Sequence, residues 1–415
     1  MKKKTVSHTF LNYFPVKNGQ VYVSDKTLEQ VVAIAGQTPV YIYDRQLITQ
    51  RIESLRNVLP GKIQLHYAMK ANPMPAVVQL LAGLVDGLDV ASQGEMLTAI
   101  NTGMTASEIS FAGPGKTDAE LKSAIAAEIV LNVESGNELI RINAIGKTLG
   151  ITPNIAIRVN PDFELKASGM KMSGGPKQFG IDAEKLPELL AEIPELSVNF
   201  VGFHIFSGSQ NLNSESLIDA HNKTFALASE LSSDLKMDFR FINIGGGFGI
   251  PYFPGDEPLD IKPIAANLHR LLGEYPQFEN KNIVIELGRY LVGEAGIYVS
   301  KVIDKKESRG QNYLVTDGGL HHHLSNSGNF GQVIRKNYPV RISTQKETSE
   351  TEAQVTENTT IVGPLCTPLD TLANKMDLPT AEIGDLVVIL QSGAYGKSAS
   401  PENFLGHPPV REILI

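Results

Sequence analysis

Polar residues stand at the ends of several short β-type segments, and their types suggest cofactor chemistry. Lys70 ends the segment KIQLHYAMK, where its neighbours are largely apolar. Burial of a lysine costs free energy and lowers its pKa, which leaves a neutral amine that can form an imine with a carbonyl cofactor. A surface position or a structural ion pair explains Lys70 equally well when it is taken alone, so the other segments must decide.

Charged residues and glycines end other segments of the same kind. These segments end with Asp89, Arg158, His204, Gly245–Gly247 and Glu286. A run without side chains lets backbone N–H groups surround a phosphate, and a carboxylate such as Glu286 can keep a pyridine nitrogen protonated. Simpler explanations exist, since the glycines fit a tight turn and Glu286 fits a salt bridge with Arg289. The spacing of GGGFG does not match a dinucleotide-binding fingerprint.

Eight β-type segments alternate with amphipathic stretches between roughly residues 60 and 290. The segments are KIQLHYAMK, GLDVAS, EISFAG, EIVLNV, NIAIRVN, FVGFHIF, FRFINIGGG and NIVIELG. This alternation predicts parallel strands joined by crossover helices, and eight such units predict a closed (β/α)8 barrel of the TIM type. Because the active site of such a barrel lies at the carboxyl ends of its strands, we expect the polar residues to share one rim.

The rest of the chain is strand-rich and lacks regular helices. The segments YLVTDG, YPVRIST, TTIVGPLC, DLVVILQSG and VREILI follow residue 295 and predict an antiparallel β domain. We expect an N-terminal strand segment at 1–44 that pairs with this domain, a cofactor-binding barrel at 45–293, and the β domain at 294–415. The polar stretch 343–360 is predicted to be an exposed hairpin or a flexible loop.

The composition argues against several classes of function. The 415 residues carry a formal net charge of −8 with a sequence pI near 5.7, which gives no electrostatic footprint for nucleic acid or an anionic membrane. No apolar run approaches the roughly 20 residues of a membrane-spanning helix, and MKKKTVSHTFLNYF lacks the apolar core of a signal peptide. The single cysteine, Cys366, excludes an internal disulfide. We therefore expect a cytoplasmic enzyme that acts on small molecules.

Several motifs occur in the order found in one family of enzymes. They are TPVYIYD, YAMKAN, DVASQGE, GPGK, IRVNPD, FGI, SGSQ, GGGFG, ELGRY, GPLCTPLD and SGAYG, and they span nearly the whole chain. On these motifs the sequence resembles the alanine-racemase-like, fold-type III pyridoxal-phosphate decarboxylases, which include the diaminopimelate, ornithine and arginine enzymes. The resemblance implies a (β/α)8 barrel with a C-terminal β domain, bound pyridoxal 5′-phosphate, and α-decarboxylation of an amino acid through an external aldimine and a quinonoid.

The resemblance also implies roles for individual residues. Lys70 would be the Schiff-base lysine and Glu286 the partner of the pyridine nitrogen. The other residues that it implies around the cofactor are Asp89, Arg158, His204, Phe206, Ser209, Gly246, Gly247, Gly288, Arg289 and Tyr395. Cys366 would come from a second subunit and protonate the α-carbon after carbon dioxide leaves, so a homodimer with its active site at the interface is implied.

Two departures from the family pattern bear on the substrate. Where the family usually places a histidine that stacks on the cofactor ring, this chain has Phe206, with His204 two residues earlier. The residue after the cysteine is commonly Asp or Glu in the family and is Thr367 here, and a neutral hydroxyl group cannot neutralise a distal ammonium group. Asp370 is the acidic residue that remains to compensate.

The segments GGLHHHLSNS, GPLCTPLD and NFLGHPP resemble an atypical branch of the family, which includes a decarboxylase of glutamate tethered to an acyl carrier protein. Two substrates therefore stay equal alternatives: free meso-diaminopimelate, and an atypical amino acid such as a carrier-linked one. His321–His323 suggest a metal, but neighbouring strand residues point to opposite faces and no third ligand has a suitable spacing. We expect no bound metal and assign His322 a polar role near the substrate entrance.

Two other functions remain open. An amino-acid racemase uses the same barrel, but such racemases commonly place an arginine opposite the pyridine nitrogen, where this chain is expected to place Glu286. A non-catalytic carrier of pyridoxal phosphate is a single barrel, whereas this chain adds a β domain that bears Cys366.

Overall fold

The computed structural model describes residues 8–9, 13–167, 169–233, 235, 237–328, 330, 335–344 and 355–415. The chain divides into two compact units. The β unit consists of residues 1–50, 251–257 and 291–415, and the barrel unit consists of residues 51–250 and 258–290. Positions 345–354 of the predicted exposed loop lie outside the described residues.

Eight parallel strands close into a barrel, as the sequence predicts. Barrel strands 1–8 are, in order, Ile63–Ala68, Gly87–Val90, Ile109–Phe111, Val130–Val133, Asn154–Asn160, Asn199–Ile205, Phe241–Gly246 and Asn282–Leu287. Each strand pairs with the next, and strand 8 pairs with strand 1 through partners such as Glu286 and His66. Two short pairings lie beyond the barrel strands: Ile181–Asp182 runs parallel to strand 5, and Met170–Lys171 runs antiparallel to Gly208–Ser209. The parallel order brings the carboxyl ends of all eight barrel strands to one rim.

Helices form where the sequence has amphipathic stretches. The α-helices of the barrel region are Arg45–Arg56, Pro75–Ala82, Gln93–Asn101, Asp118–Ala126, Gly136–Leu149, Leu186–Glu192, Ser214–Ser233, Lys262–Glu274 and Arg289–Val292. Thr117 begins one of them with a capping box, in which Thr117 and Glu120 each accept the other's backbone N–H. In the described part of the chain no helix has the length and apolar character needed to cross a membrane. The cytoplasmic location stays a prediction.

The β unit contains the predicted C-terminal sheet, which is mixed rather than wholly antiparallel. The strands of the unit are Val16–Lys17, Gln20–Val23, Lys26–Thr27, Val40–Tyr43, Gly296–Ser308, Gln311–Thr316, Val340–Ser343, Thr356–Val362, Thr371–Pro379, Leu386–Ile389 and Arg411–Leu414, and a helix spans Leu28–Ala35. Gln311–Thr316 runs parallel to Thr356–Val362, and Val40–Tyr43 runs parallel to Arg411–Leu414. Both pairs join strands far apart in sequence, and long connections permit the parallel direction.

The two faces of the strand Val40–Tyr43 in the β unit differ in character. Val40 and Ile42 are buried in an apolar core, and burial of such side chains stabilises the unit. Tyr41 alternates to the other face, where its ring centroid lies 5.0 Å from that of Tyr298. The sheet therefore has an aliphatic face and a face of buried aromatic and polar side chains.

Candidate active site

Four side chains meet at the carboxyl ends of barrel strands 1, 6 and 8. Lys70 lies in the 3-10 turn Met69–Ala71 directly after strand 1, and its Nζ is 3.8 Å from Oε1 of Glu286. Oε2 of Glu286 is 3.2 Å from Nε2 of His204. The centroid of the Phe206 ring is 5.5 Å from Lys70 Nζ. The Lys70 side chain is 45% exposed and that of Glu286 is 6% exposed, so an outside molecule can reach the amine more easily than the carboxylate.

Glu286 is ionised in this setting. Burial alone would raise the pKa of its carboxyl group, but His204, Lys70 and Arg158 together lower that pKa below its ordinary value. A buried carboxylate close to an accessible lysine suits a group that carries positive charge, such as a protonated pyridine nitrogen.

Asp89, at the end of barrel strand 2, belongs to a buried chain of polar groups. Its Oδ1 lies 3.3 Å from Nδ1 of His66 and accepts a hydrogen bond from Oγ of Ser110 at 2.5 Å. Asn132 in turn donates to Ser110. Burial lowers the pKa of His66, but the carboxylates of Asp89, Glu108 and Glu286 together outweigh burial, so the pKa is raised. Oδ2 of Asp89 is buried without a hydrogen-bond partner among the described residues, which leaves an acceptor for a bound group.

Arg158, in barrel strand 5, pairs with a carboxylate that the sequence analysis did not single out. Its Nη1 donates to Oε1 of Glu134 at 2.8 Å, and the two side chains are 8% and 2% exposed. Glu134 directly follows barrel strand 4. It therefore carried the same signal as the predicted residues, a polar side chain at the carboxyl end of a barrel strand.

The glycine run at the end of barrel strand 7 is required by close packing. Gly245 and Gly247 have φ angles of 71° and 82°, which favour glycine. A Cβ on Gly246 would lie 2.0 Å from the carbonyl oxygen of Glu286. The run therefore offers backbone without side chains beside strand 8, which fits a phosphate held by N–H groups.

Three more predicted residues follow barrel strands 6 and 8. Ser209 is half-buried in the short strand after strand 6. A Cβ on Gly288 would lie 3.0 Å from Cβ of Ala71, so Gly288 packs against the turn that holds Lys70. Arg289 begins the short helix after strand 8. The predicted residues of the barrel unit are thus all at its carboxyl-end rim.

The remaining predicted residues lie in the β unit. Cys366 is exposed, and the Thr367 hydroxyl accepts a backbone N–H from its own loop at 3.3 Å. Asp370 is 2% exposed, and its two carboxylate oxygens accept the N–H groups of Leu320 and Leu365 at 2.6 and 2.8 Å. The carboxylate therefore joins the cysteine loop to the segment that carries the three histidines.

These histidines lie in a buried turn. The prediction of no bound metal treated them as strand residues, so that premise was wrong. Nε2 of His322 is 2.9 Å from the carbonyl oxygen of Pro408, and its own carbonyl accepts a hydrogen bond from Tyr41. Burial lowers the pKa of His322, and it lowers those of His321 and His323 to about 3. No cluster of potential metal ligands was found among the described residues. The substrate role of His322 stays a prediction.

Tyr395 lies in the SGAYG turn of the β unit. Its φ angle is 52°, and its carbonyl oxygen accepts a hydrogen bond from Oγ of Ser325 at 2.6 Å. A Cβ on the neighbouring Gly396 would lie 2.6 Å from the Tyr41 ring. The turn is therefore fixed by close contacts, while the phosphate-binding role of Tyr395 stays a prediction.

Residues 45–293 match the family described as pyridoxal-dependent decarboxylase, pyridoxal binding domain, and this is more than half of the chain. The chain belongs to this family. Its cofactor is pyridoxal phosphate, and the protein is a pyridoxal-phosphate-dependent decarboxylase. The residues at the rim fit this cofactor: an accessible lysine, an ionised buried carboxylate, and a glycine run whose backbone carries no side chains.

Curated relatives cover nearly the whole decarboxylase chain. An L-glutamyl-[BtrI acyl-carrier protein] decarboxylase of Niallia circulans is 37% identical over 91% of this chain and 89% of its own. A 2-[(L-alanin-3-ylcarbamoyl)methyl]-2-hydroxybutanedioate decarboxylase of Staphylococcus aureus is 32% identical over 92% and 95%. A diaminopimelate decarboxylase of Aquifex aeolicus is 32% identical over 97% and 92%. These relatives confirm the predicted decarboxylase and favour it over the racemase and the non-catalytic carrier.

Solved structures confirm the alanine-racemase-like fold. Diaminopimelate decarboxylase of Helicobacter pylori in complex with L-lysine superposes with a TM-score of 0.82 at 29% identity, covering 93% of this decarboxylase and 94% of that chain. The enzyme from M. jannaschii has a TM-score of 0.86 at 28% identity, covering 97% and 92%. The barrel and the β domain predicted from the sequence are therefore both present.

Proposed function

We propose that this decarboxylase removes the α-carboxyl group from an amino acid whose side chain ends in an acyl linkage, such as a thioester to a carrier protein or an amide. The observation that carries the proposal is the environment of Asp370. This is the acidic residue that could have received a distal ammonium group in place of the missing acid at Thr367. Its hydrogen bonds leave it poorly suited to that task.

Asp370 is enclosed on several sides. Both of its oxygens accept buried backbone N–H groups, and a Cβ on Gly319 or Gly363 would lie within 2.3 or 2.4 Å of them. Turning the carboxylate toward a ligand would leave two N–H groups unpaired, at a cost of about 1–3 kcal/mol each. Thr367 contributes only a neutral hydroxyl. Within residues 363–371, all of which are described, the cysteine loop therefore offers no other carboxylate to a distal ammonium.

The names of two relatives support the same substrate class. One acts on an L-glutamyl group carried by an acyl-carrier protein, and the other on an alanine unit extended through a carbamoyl group. Neither name describes a free diamino acid. The relative that is 37% identical therefore favours a carrier-linked amino acid for this chain as well.

The predicted site residues have distinct tasks in this reaction. The cofactor, when bound, supplies an electron-withdrawing ring that accepts the electron pair left at the α-carbon. Lys70 holds the cofactor between turnovers, and its exposure lets a substrate amine displace it. The lowered pKa of Glu286 keeps it negatively charged, so it would pair with the ring nitrogen. Phe206, whose ring centroid is 5.5 Å from Lys70 Nζ, would pack against the cofactor ring. His204 lies 3.2 Å from the Glu286 carboxylate and would hold it in place.

The proton that returns to the α-carbon is assigned to the thiol of Cys366. We propose that it acts in the site of a second subunit, so that the active enzyme is a homodimer. The exposure of Cys366 in the single chain is compatible with such a role. A thiol that is covered by a partner can deliver one proton to a defined position.

A second candidate substrate is free meso-diaminopimelate. It is favoured by the diaminopimelate decarboxylase of Aquifex aeolicus at 32% identity, and by the Helicobacter pylori enzyme solved with L-lysine at 29% identity. For this substrate, a group outside the cysteine loop would have to neutralise the distal ammonium.

A comparison of substrates tests the proposal. The cofactor-loaded protein is given meso-diaminopimelate, free L-glutamate, and thioesters of pantetheine and of a carrier protein with the side-chain carboxyl of L-glutamate. Carbon dioxide release is measured with Lys70→Ala as the blank. We expect kcat/KM for at least one thioester to exceed that for meso-diaminopimelate by tenfold or more. Faster release from meso-diaminopimelate would instead establish the second candidate. No release from any thioester by a protein that retains its cofactor absorbance would refute the proposed substrate class.

A further inference from the structure

We propose that Glu134 is a positioning residue of this decarboxylase, which fixes Arg158 and two rim loops and balances the charge of Arg158 near Glu286. The proposal rests on the proposed function for the roles of Arg158 and Glu286. Glu134 acts through Arg158, so it is not assigned a contact with the substrate.

The carboxylate of Glu134 is a junction of three hydrogen bonds. Oε1 accepts from Nη1 of Arg158 at 2.8 Å and from the backbone N–H of Gly113 at 2.5 Å, while Oε2 accepts from the backbone N–H of Gly180 at 3.1 Å. Gly113 follows barrel strand 3 and Gly180 precedes the short strand beside barrel strand 5. One buried side chain therefore ties together the segments that follow three neighbouring strands.

The same contacts leave Arg158 little freedom. The centre of its guanidinium group is 4.9 Å from the centroid of the Phe179 ring. A Cβ on Gly180 would lie 2.9 Å from the carbonyl oxygen of Arg158, so the loop that donates to Glu134 also packs directly on the arginine's backbone. The guanidinium is thus bound on one side by a carboxylate and faces an aromatic ring on another.

A second buried ion pair, between Lys116 and Glu138, contacts the backbone of Gly113 and Glu134. Nζ of Lys116 is 2.6 Å from Oε1 of Glu138 and donates to the carbonyl oxygen of Gly113 at 2.7 Å. Oε2 of Glu138 accepts the backbone N–H of Glu134 at 3.0 Å. Gly113 is therefore held at its N–H by one carboxylate and at its carbonyl by one ammonium. Two cations and two carboxylates balance in this network, which is the condition for stable burial of charge.

The charge of Glu134 has a further consequence at the rim. Burial would raise the pKa of Glu134, but Arg158, Lys116 and the bond from Gly113 outweigh it and lower that pKa, so the side chain is an anion. Arg158 is one of the groups that lower the pKa of Glu286. Removing the negative charge of Glu134 leaves the positive charge of Arg158 unbalanced, and this disfavours any additional proton held near Glu286 and Lys70.

The test compares Glu134→Gln, which removes the charge and keeps the size, with Glu134→Asp, which keeps the charge and shortens the reach. Glu108→Gln is the control for the loss of a Glu–Arg pair, because Glu108 pairs with Arg240 at 2.8 Å before barrel strand 3, in a more exposed setting (25% against 2% exposure of the glutamate). Three properties are measured without substrate: the melting temperature of the cofactor-free protein, the affinity for pyridoxal phosphate, and the pH dependence of the absorbance of the bound cofactor.

For Glu134→Gln we expect the absorbance transition to move to lower pH by about one unit, because the loss of a negative charge near Arg158 disfavours a proton held near Glu286 and Lys70. Glu134→Asp should leave this transition near that of the unchanged protein. With a substrate that the unchanged protein decarboxylates, kcat should fall about tenfold for Glu134→Gln while KM changes less than threefold. The variant loses the positioning of Arg158 rather than a contact that binds the substrate.

A purely structural role of Glu134 predicts different results. If Glu134→Gln lowers only the melting temperature, as Glu108→Gln does, and leaves the absorbance transition unchanged, the proposal is overturned. If Glu134→Gln does not fold, an unchanged cofactor affinity and kcat in Glu134→Asp would overturn the proposed positioning of Arg158. The absorbance and affinity measurements need no substrate, so they remain decisive even if the proposed substrate class is wrong.

Discussion

Replacement of Asp370 by asparagine tests whether this carboxylate holds loops or binds substrate. The side chain of Asp370→Asn keeps one carbonyl oxygen and replaces the other oxygen with an NH2 group. One of the two N–H groups, that of Leu320 or Leu365, then faces a donor instead of an acceptor in a site with 2% exposure. The expected destabilisation is the cost of an unsatisfied buried N–H, about 1–3 kcal/mol. Burial raises the pKa of Asp370, so loss of the charge adds no further cost.

The assay combines stability with kinetics. Thermal unfolding should show a melting temperature lower by at least about 2 °C, since about 1 kcal/mol corresponds to roughly 2–4 °C in a large domain. Asp385→Asn is the control, because one oxygen of buried Asp385 accepts the N–H of Glu382 at 2.8 Å in the same unit. The ratio of kcat/KM between meso-diaminopimelate and a thioester substrate should be unchanged within threefold, because we propose that Asp370 holds its loop and does not bind a distal group.

One outcome refutes the reasoning directly. If Asp370→Asn keeps its melting temperature but loses activity on meso-diaminopimelate tenfold more than on the thioester, then the carboxylate binds the distal ammonium and the backbone N–H groups are not its essential partners. The observation behind the proposed substrate class would then be lost as well.

Further predictions concern single residues. Lys70→Ala should abolish the visible absorbance of the bound cofactor, and persistence of that band would remove Lys70 from its assigned role. Glu286→Gln should lower kcat at least a hundredfold with little change in cofactor affinity, because the ring nitrogen loses its anionic partner; a kcat within threefold of the unchanged protein would contradict this. Thr367→Glu should raise kcat/KM for meso-diaminopimelate relative to a thioester, as measured by carbon dioxide release, and an unchanged ratio would count against a role in substrate choice. Burial lowers the pKa of His221 from an ordinary 6.5 to about 4. As the pH falls, the histidine of the unfolded chain is therefore protonated before that of the folded protein. The contribution of neutral His221 to stability is complete above pH 6.5 and is lost as the pH falls toward 4, by up to about 3 kcal/mol. His221→Leu should therefore flatten the acid side of a denaturation profile, and an equally steep profile would show that other groups dominate.

The barrel and much of its rim follow from the sequence because their signals are local. Each barrel strand is a short apolar run, and the polar residue that ends it is placed by the direction of the strand alone. Lys70 and Glu286 could be put on one rim in this way although they are far apart in sequence. Glu134 met the same criterion but was overlooked, since its importance depends on partners in other loops, above all Arg158.

The β unit was predicted less completely for a physical reason. The parallel pairing of Gln311–Thr316 with Thr356–Val362 joins strands separated by a long connection, and no local turn signal specifies it. The environment of Asp370 was hidden for a related reason. Its partners are backbone N–H groups, which every residue except proline provides. The residue types at positions 320 and 365 therefore do not predict the contact.

The proposed cofactor residues and the proposed substrate residues belong to different units of the chain, and this bears on how the substrate is chosen. The proposed cofactor residues of the barrel unit, including Lys70 and Glu286, have tasks that do not depend on the side chain of the substrate. Thr367 and Asp370 lie together in a loop of the β unit, and Asp370 is committed to holding that loop. We propose that Thr367 faces the distal end of the substrate, so a change at Thr367 would alter the charge presented there without disturbing the hydrogen bonds of Asp370. Under this proposal, relatives named for a carrier-linked and a free amino acid share one decarboxylation chemistry, and Thr367→Glu tests whether position 367 sets the substrate class.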